Sequence, residues 1–307
     1  MKSNALVPAA MVALVLAACS KSASPDAPKV AATSTVAAGA PAVKGEKRFP
    51  LTGEVIRAEA ERKVLVVKHE AIEGYMPAMT MEFKVAAGDA TIVKPGQRIR
   101  AELVAPADGD FRLEKIWPDD KATADAVAAG ARKLREDTHN LGKNAYREIG
   151  EQVPNFSLFD QDGRVVQSAR FGGKQIMLNF IFTRCPDATK CPVATAKMMA
   201  LQKLGAEAKV PNLELISITL DPAYDTPGVL KEYAAARGID TKNFSFLTGP
   251  ENAIRDLLTQ FGVIAEFKGD VLAHSLVTLL IDEKGNIVHR ADGSLWEPKD
   301  FVAKMRR

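Results

Sequence analysis

The sequence predicts an α/β sandwich over residues 151–307, preceded by a small all-β barrel over residues 49–118. Three observations carry this reading. Strand-like and helix-like stretches alternate through the second half and include two almost wholly apolar runs, KQIMLNFIFT and NLELISITLD, of the kind that parallel central strands require. Five short strand-like runs, broken by turn residues, fill the stretch of about seventy residues before it. A cysteine pair, Cys185 and Cys191, sits where the first central strand gives way to a helix.

The elements follow in chain order. Lys2 and the apolar run LVPAAMVALVLAA read as a secretory signal over residues 1–18, too short to span a bilayer as a mature helix. It ends in Leu16-Ala17-Ala18-Cys19, which resembles a bacterial lipobox. That resemblance implies cleavage before Cys19 and lipid attachment to its sulfur. The other reading is an ordinary signal peptide cut at a small-residue site. Lipidation also accounts for the odd cysteine count of 3. Residues 19–48 are rich in Ala, Ser, Thr and Pro without an apolar period and read as a flexible tether. The expected location is therefore the periplasm of a Gram-negative bacterium, on a lipid anchor, with Ser20 leaning toward the outer membrane.

LTGEVIRAE, KVLVVKH, MTMEFKV, RIRAELV and FRLEKIW are the five short strands, and a ring closed on itself avoids exposed edges. Residues 119–150, Ala-rich and charged, read as a solvated helical linker in which His139 is exposed. A flexible connection of this kind raises the effective concentration of one domain at the other. In the last domain PNFSLFD and RVVQSA form an opening hairpin, and CPVATAKMMALQKLG starts a helix with Pro192 in its first turn. Further strand–helix units, the hairpin SLVTLLIDEKGNIVHR and a terminal helix EPKDFVAKM complete a thioredoxin-like sandwich, with His289 on the surface. The hydrophobic fraction of 47% supports ordinary cores, while a net charge of +3 and the lack of a basic, aromatic-interleaved stripe argue against nucleic acid as a partner.

Candidate chemistry lies in two places. A cysteine between a strand and a helix faces backbone N–H groups and the helix dipole, which favour thiolate and so serve metal binding and disulfide exchange alike. Spacing is more discriminating. Five residues separate Cys185 from Cys191, unlike the C-x-x-C of thioredoxin-type oxidoreductases. No proline lies between Pro250 and Pro298, and Ala273-His274-Ser275 occupies the place where such enzymes carry a cis-proline. Two thiolates with one imidazole, His274, suit Cu(I). In the barrel, Met79 and Met81 share a strand face and His69 closes the preceding strand, a soft donor set that also describes a methionine-rich core.

FIFTRCPDATKCPV, LISITLDPAYDTPGVLKEYA and AHSLVTLLIDEKGNIV together resemble the SCO/SenC family over residues 150–307. The resemblance implies a thioredoxin fold binding copper through Cys185, Cys191 and His274, and a role in maturing the copper centre of cytochrome c oxidase. The chain departs from the family's C-x-x-x-C-P by two extra residues. HEAIEGYMPAMTMEF and KPGQRIRAELV resemble the CusF-like copper-binding domain, which implies His69, Met79 and Met81 as ligands in an OB-like barrel. Met76 stands where that family carries a capping tryptophan, as a further thioether or cap, and Tyr75 offers an aromatic face. The expected function is Cu(I) capture and delivery, non-enzymatic, to the copper-bearing subunit of cytochrome c oxidase or another periplasmic copper protein. The alternatives are a thiol-disulfide reductase acting on a copper-receiving partner, and copper sequestration. A peroxiredoxin-like activity, suggested by PNFSLFDQDG, leaves His274 without a role.

Overall fold

In the computed structural model, residues 45–268 and 271–305 are described. The stretch expected to be a signal sequence, Cys19 with its expected lipidation, and all but the end of the expected tether lie outside them. The described residues fall within one compact unit.

The N-terminal region is sheet-rich, as expected. Strands β1 (Lys47–Glu59), β2 (Val64–His69), β3 (Met79–Lys84), β4 (Arg98–Ala105) and β5 (Arg112–Pro118) are joined in the cyclic order β1-β2-β3-β5-β4. The long β1 pairs with both β2 and β4, and the ring closes through Lys84 opposite Arg112. Inward-facing residues Leu51, Val55, Leu65, Val67, Phe83, Ile99, Leu103, Leu113 and Ile116 fill its core, the last two on either side of an irregularity in the β4–β5 register. A short helix, α1 (Ala87–Ile92), occupies a stretch that reads as a turn in the sequence.

The C-terminal sheet has seven strands in the order β14-β13-β8-β9-β10-β6-β7, where β6 is Ser157–Asp160, β7 Val165–Gln167, β8 Gln175–Ile181, β9 Leu213–Thr219, β10 Phe244–Thr248, β13 Val277–Ile281 and β14 Ile287–Asp292. Both β8 and β9 are buried at every residue, which explains their unbroken apolar character. Helices α3 (Cys191–Glu207), α4 (Pro227–Ala236), α5 (Glu251–Gln260) and α6 (Pro298–Lys304) connect and flank them. The parallel pair β8–β9, with β13 and β14 antiparallel on the β8 side and α3 as the first crossover, is the thioredoxin arrangement. A separate two-stranded hairpin, β11 (Ala265–Lys268) and β12 (Val271–His274), projects before β13 and was not anticipated from the sequence.

The segment between the two regions departs from expectation. Helix α2 (Lys121–Leu141), capped by Asp120 accepting from the Thr123 N–H at 3.0 Å, buries Val127, Ala131 and Leu134, a stripe at i, i+4, i+7. Ala131 and Leu134 belong to the C-terminal core, so α2 is a packed element and the reading of a solvated, flexible linker is corrected. His139 is exposed as expected, whereas His289 is half-buried and edge-on to Phe301 at 4.9 Å.

The ring is also held directly. Trp117 packs edge-on against Phe159 at 5.6 Å, with Val127 completing the cluster. Helix α1 meets α4 at two glycines: a Cβ on Gly88 would lie 2.1 Å from the Gly228 carbonyl oxygen, and one on Gly228 would lie 2.0 Å from the Asp89 carboxylate. The Gly88 N–H donates to the Glu232 carboxylate at 2.7 Å. Asp89 is 3% exposed at this contact, and its Oδ1 is buried without a hydrogen-bond partner.

Candidate metal centres

Strand β8 delivers the chain to Phe182, whose ring meets His274 edge-on at 5.4 Å. The Cys185 N–H then donates to the Phe182 carbonyl at 3.4 Å. From there to Cys191 the five-residue segment folds back on itself. One Asp187 carboxylate oxygen accepts from the Thr189 N–H at 2.9 Å and the Thr189 hydroxyl at 2.6 Å, and the Asp187 carbonyl accepts from the Lys190 N–H at 3.1 Å. The two residues by which the spacing exceeds C-x-x-x-C are thus absorbed in a self-bonded turn that returns Cys191 toward Cys185. Cys191 is the first residue of α3, fully buried, with Pro192 in the first turn where no N–H partner is needed.

His274 arrives from the opposite side on β12. Its backbone is opposite Ala265 in the β11–β12 ladder, and Ser275 fastens the base of the hairpin, its N–H donating to the Ile264 carbonyl and its hydroxyl accepting from the Ile264 N–H, both at 2.9 Å. The imidazole Nδ1 lies 3.1 Å from the Ser275 carbonyl oxygen, so this nitrogen carries the proton and Nε2 is left as the free base. Nε2 lies 3.7 Å from the Cys191 sulfur. The Cys185 and Cys191 sulfurs and one His274 nitrogen all lie within 4.8 Å of one another, close enough for one ion to reach all three.

Burial favours the neutral forms of His274 and Cys191. Burial holds the His274 imidazole below its usual pKa, favouring the ligating form. Burial also pushes the Cys191 thiol up to about 12, outweighing the Phe182 backbone contact that works the other way. This corrects the expectation that the helix start would favour thiolate at this sulfur: a fully desolvated sulfur loses more than the dipole returns. A soft cation that displaces the proton supplies the missing charge, and both cysteines are free to take one.

The ring holds the second group of expected donors. His69 and Met79 are directly opposite each other on β2 and β3, and Met81 lies two residues further along opposite Val67. Directly opposed residues project to the same side of a sheet, so this register gathers the three side chains on one face. His69 is 2% exposed, its Nδ1 is 2.8 Å from the Glu70 carbonyl oxygen, and its Nε2 is buried without a hydrogen-bond partner. That orphaned nitrogen fits a metal ligand better than a core histidine, which normally finds a partner. Met79 is 43% exposed at the rim, while Met76 and Met81 are half-buried against the ring's core. The aromatic beside His69 is Phe83, edge-on at 5.9 Å, which sequence reading missed although Phe83 follows Met79 and Met81 on the same strand face. Tyr75 stacks on Phe49 at 4.2 Å.

Two family models match the chain. The SCO1/SenC model covers residues 144–307, and the model of the copper binding periplasmic protein CusF covers residues 48–118. An SCO2-like protein of Rickettsia conorii is 36% identical over 168 residues, spanning 52% of this chain and 79% of its own length. Among solved structures, Arabidopsis thaliana ScoI with copper bound is 26% identical with a TM-score of 0.45, covering 50% of this chain and 95% of that one. BsSco, described as a member of the Sco family of cytochrome c oxidase assembly proteins with a disulfide switch, is 28% identical with a TM-score of 0.45, covering 53% of this chain and 95% of that one.

Proposed function

Because the chain belongs to the SCO1/SenC family, we propose that it is a periplasmic copper carrier that takes Cu(I) at Cys185, Cys191 and His274 and passes it to a copper protein, in the first instance the copper-bearing subunit of cytochrome c oxidase. The observation that carries the reading is the convergence of two sulfurs and a free imidazole nitrogen within 4.8 Å at the end of β8. A donor set of two thiolates and one neutral imidazole selects a soft monovalent ion over hard cations. We read the ring as an OB-type barrel holding a second Cu(I) at His69, Met79 and Met81, with Met76 as a fourth donor or cap. The orphaned His69 Nε2 and the match to a copper binding periplasmic protein support this. The lipobox-like run ending at Cys19 supports a membrane anchor, and among the described residues no helix is long and apolar enough to cross a membrane.

A second reading has its own support. The two sulfurs are close and both are free, so the pair is suited to reversible disulfide formation and to reducing the cysteines of a copper-receiving partner. The two chemistries use the same sulfurs and compete. Anaerobic Cu(I) titration of the protein in its dithiol form, and again after oxidation of Cys185 and Cys191 to the disulfide, tests the copper reading. We expect the oxidised protein to bind one Cu(I) fewer. An unchanged count shows that these sulfurs are not copper ligands.

A further inference from the structure

The run Asp221-Pro222-Ala223-Tyr224-Asp225-Thr226-Pro227 supplies no metal donor, yet it grips each residue that leads into Cys185. Asp225 is fully buried. One of its carboxylate oxygens accepts from the Thr183 N–H at 3.1 Å and from the Thr219 hydroxyl at 2.7 Å, and the other accepts from the Thr183 hydroxyl. Thr219, the last residue of β9, in turn accepts from the Asp221 N–H at 2.9 Å, so the run is tied to the sheet beside β8. Asp221, 1% exposed, accepts from the Arg184 Nε at 2.7 Å, and the same guanidinium lies over the Tyr224 ring at 4.6 Å. Helix α4 starts at Pro227 with no side-chain cap, and the Asp225 carboxylate is turned toward the cysteine segment.

We propose that Asp225, assisted by Asp221, is a positioning residue for the metal centre: it fixes Thr183 and Arg184 to β9 and thereby sets the Cys185 sulfur at its distance from Cys191 and His274. The inference rests on the copper reading of those three residues. Beyond Cys185 the chain enters the self-bonded Asp187 turn, whose carbonyl accepts from the Cys185 thiol at 3.7 Å, while the hydrogen bonds that tie this segment to β9 lie on the Thr183 side. A metal centre tolerates only a few tenths of an ångström in its donor distances, and partners behind a ligand commonly carry 10- to 100-fold of the affinity.

The test uses the full mature chain with three variants: Asp225→Asn, Thr183→Val and their combination, and Phe244→Leu as a control that truncates a buried core side chain on β10. Anaerobic Cu(I) competition, thermal midpoint and the glutathione equilibrium of the cysteine pair are measured for each. Asp225→Asn and Thr183→Val should each weaken Cu(I) binding at this centre about 10-fold, and the double variant should lose little more, because both remove one linkage. Phe244→Leu should lower the thermal midpoint while leaving the affinity unchanged. Unchanged affinity in Asp225→Asn, or a loss in Phe244→Leu equal to it at equal midpoint, overturns the proposal. If Asp225→Asn does not fold, Thr183→Val decides by the same affinity criterion. Failure of the unsubstituted pair to bind Cu(I) refutes the copper reading separately. Positioning is then judged by the glutathione equilibrium, which Asp225→Asn must shift; no shift overturns it.

Discussion

In His274→Ala, Cu(I) affinity at the C-terminal centre falls about 100-fold or more, while Cys185 and Cys191 keep their reactivity toward disulfides. The size follows from losing a ligand outright, since even the partners behind a ligand typically contribute 10- to 100-fold. The retained thiol chemistry follows from the structure. His274 approaches from the β11–β12 hairpin, outside the main sheet, whereas both sulfurs are positioned by β8 and α3. The substitution therefore separates a copper site from a redox site. Equal Cu(I) competition curves for the variant and the parent protein contradict a three-donor centre.

The second large effect concerns stability and pH. Burial, followed by the nearby Glu232 and Glu114 carboxylates, raises the Asp89 carboxyl to about 7. In the unfolded chain an aspartate titrates near 3.9, so between about pH 4 and 7 the folded state binds the extra proton and stability falls as pH rises. Below that window both states are protonated and above it both are ionised, so the slope vanishes on either side. Fully expressed, the loss amounts to up to about 4 kcal/mol. The cationic groups lining the same cleft, Arg48, Lys84, Arg112 and Lys115, reach other carboxylates first: Arg48 pairs with Glu102 and Glu114, Arg112 with Glu46 and Glu114, Lys115 with Glu102 and Lys84 with Asp110. Asp89→Asn is neutral at every pH. Its melting temperature should match the parent at pH 4 and exceed it at pH 8 by up to about 8–16 °C, the size expected for up to about 4 kcal/mol in a large domain. A residual slope below about pH 6 should persist from Asp225, which burial raises to about 6. Parallel melting curves at both pH values contradict the assignment to Asp89.

How much of this was legible from sequence depends on whether a signal is local. The buried strands β8 and β9 announce themselves as apolar runs, and the cysteine pair and His274 are recognisable because their neighbours fix strand, helix start and hairpin. Helix α1 was missed because Ala-Gly-Asp-Ala reads as a turn; it is helical where two glycines let α1 and α4 approach. The docking face of α2 was present as Val127, Ala131 and Leu134 but was diluted among alanines. The β11–β12 hairpin was available in the alternation of AEFK and VLAH about Gly269-Asp270 and went unread. The Cys191 thiol was misjudged because its burial depends on the whole packed domain and outweighs the local dipole. The grip of Asp225 on Thr183, 42 residues away, is a tertiary contact that no local pattern encodes.

Packing of α2 and α1 into the C-terminal region also alters how the two centres are linked. The ring is seated by Trp117, Gly88 and Gly228, so any passage of copper between His69 and Cys185 has to operate without the swing of a flexible linker. Whether the chain carries two soft-metal centres is the claim on which the rest depends. Anaerobic Cu(I) titration of the reduced protein against a chromophoric chelator tests it most directly. The account predicts two equivalents for the parent protein and one for Met79→Ala/Met81→Ala, with the remaining equivalent bound by Cys185, Cys191 and His274. A stoichiometry of one in the parent, unchanged by the methionine substitutions, contradicts it.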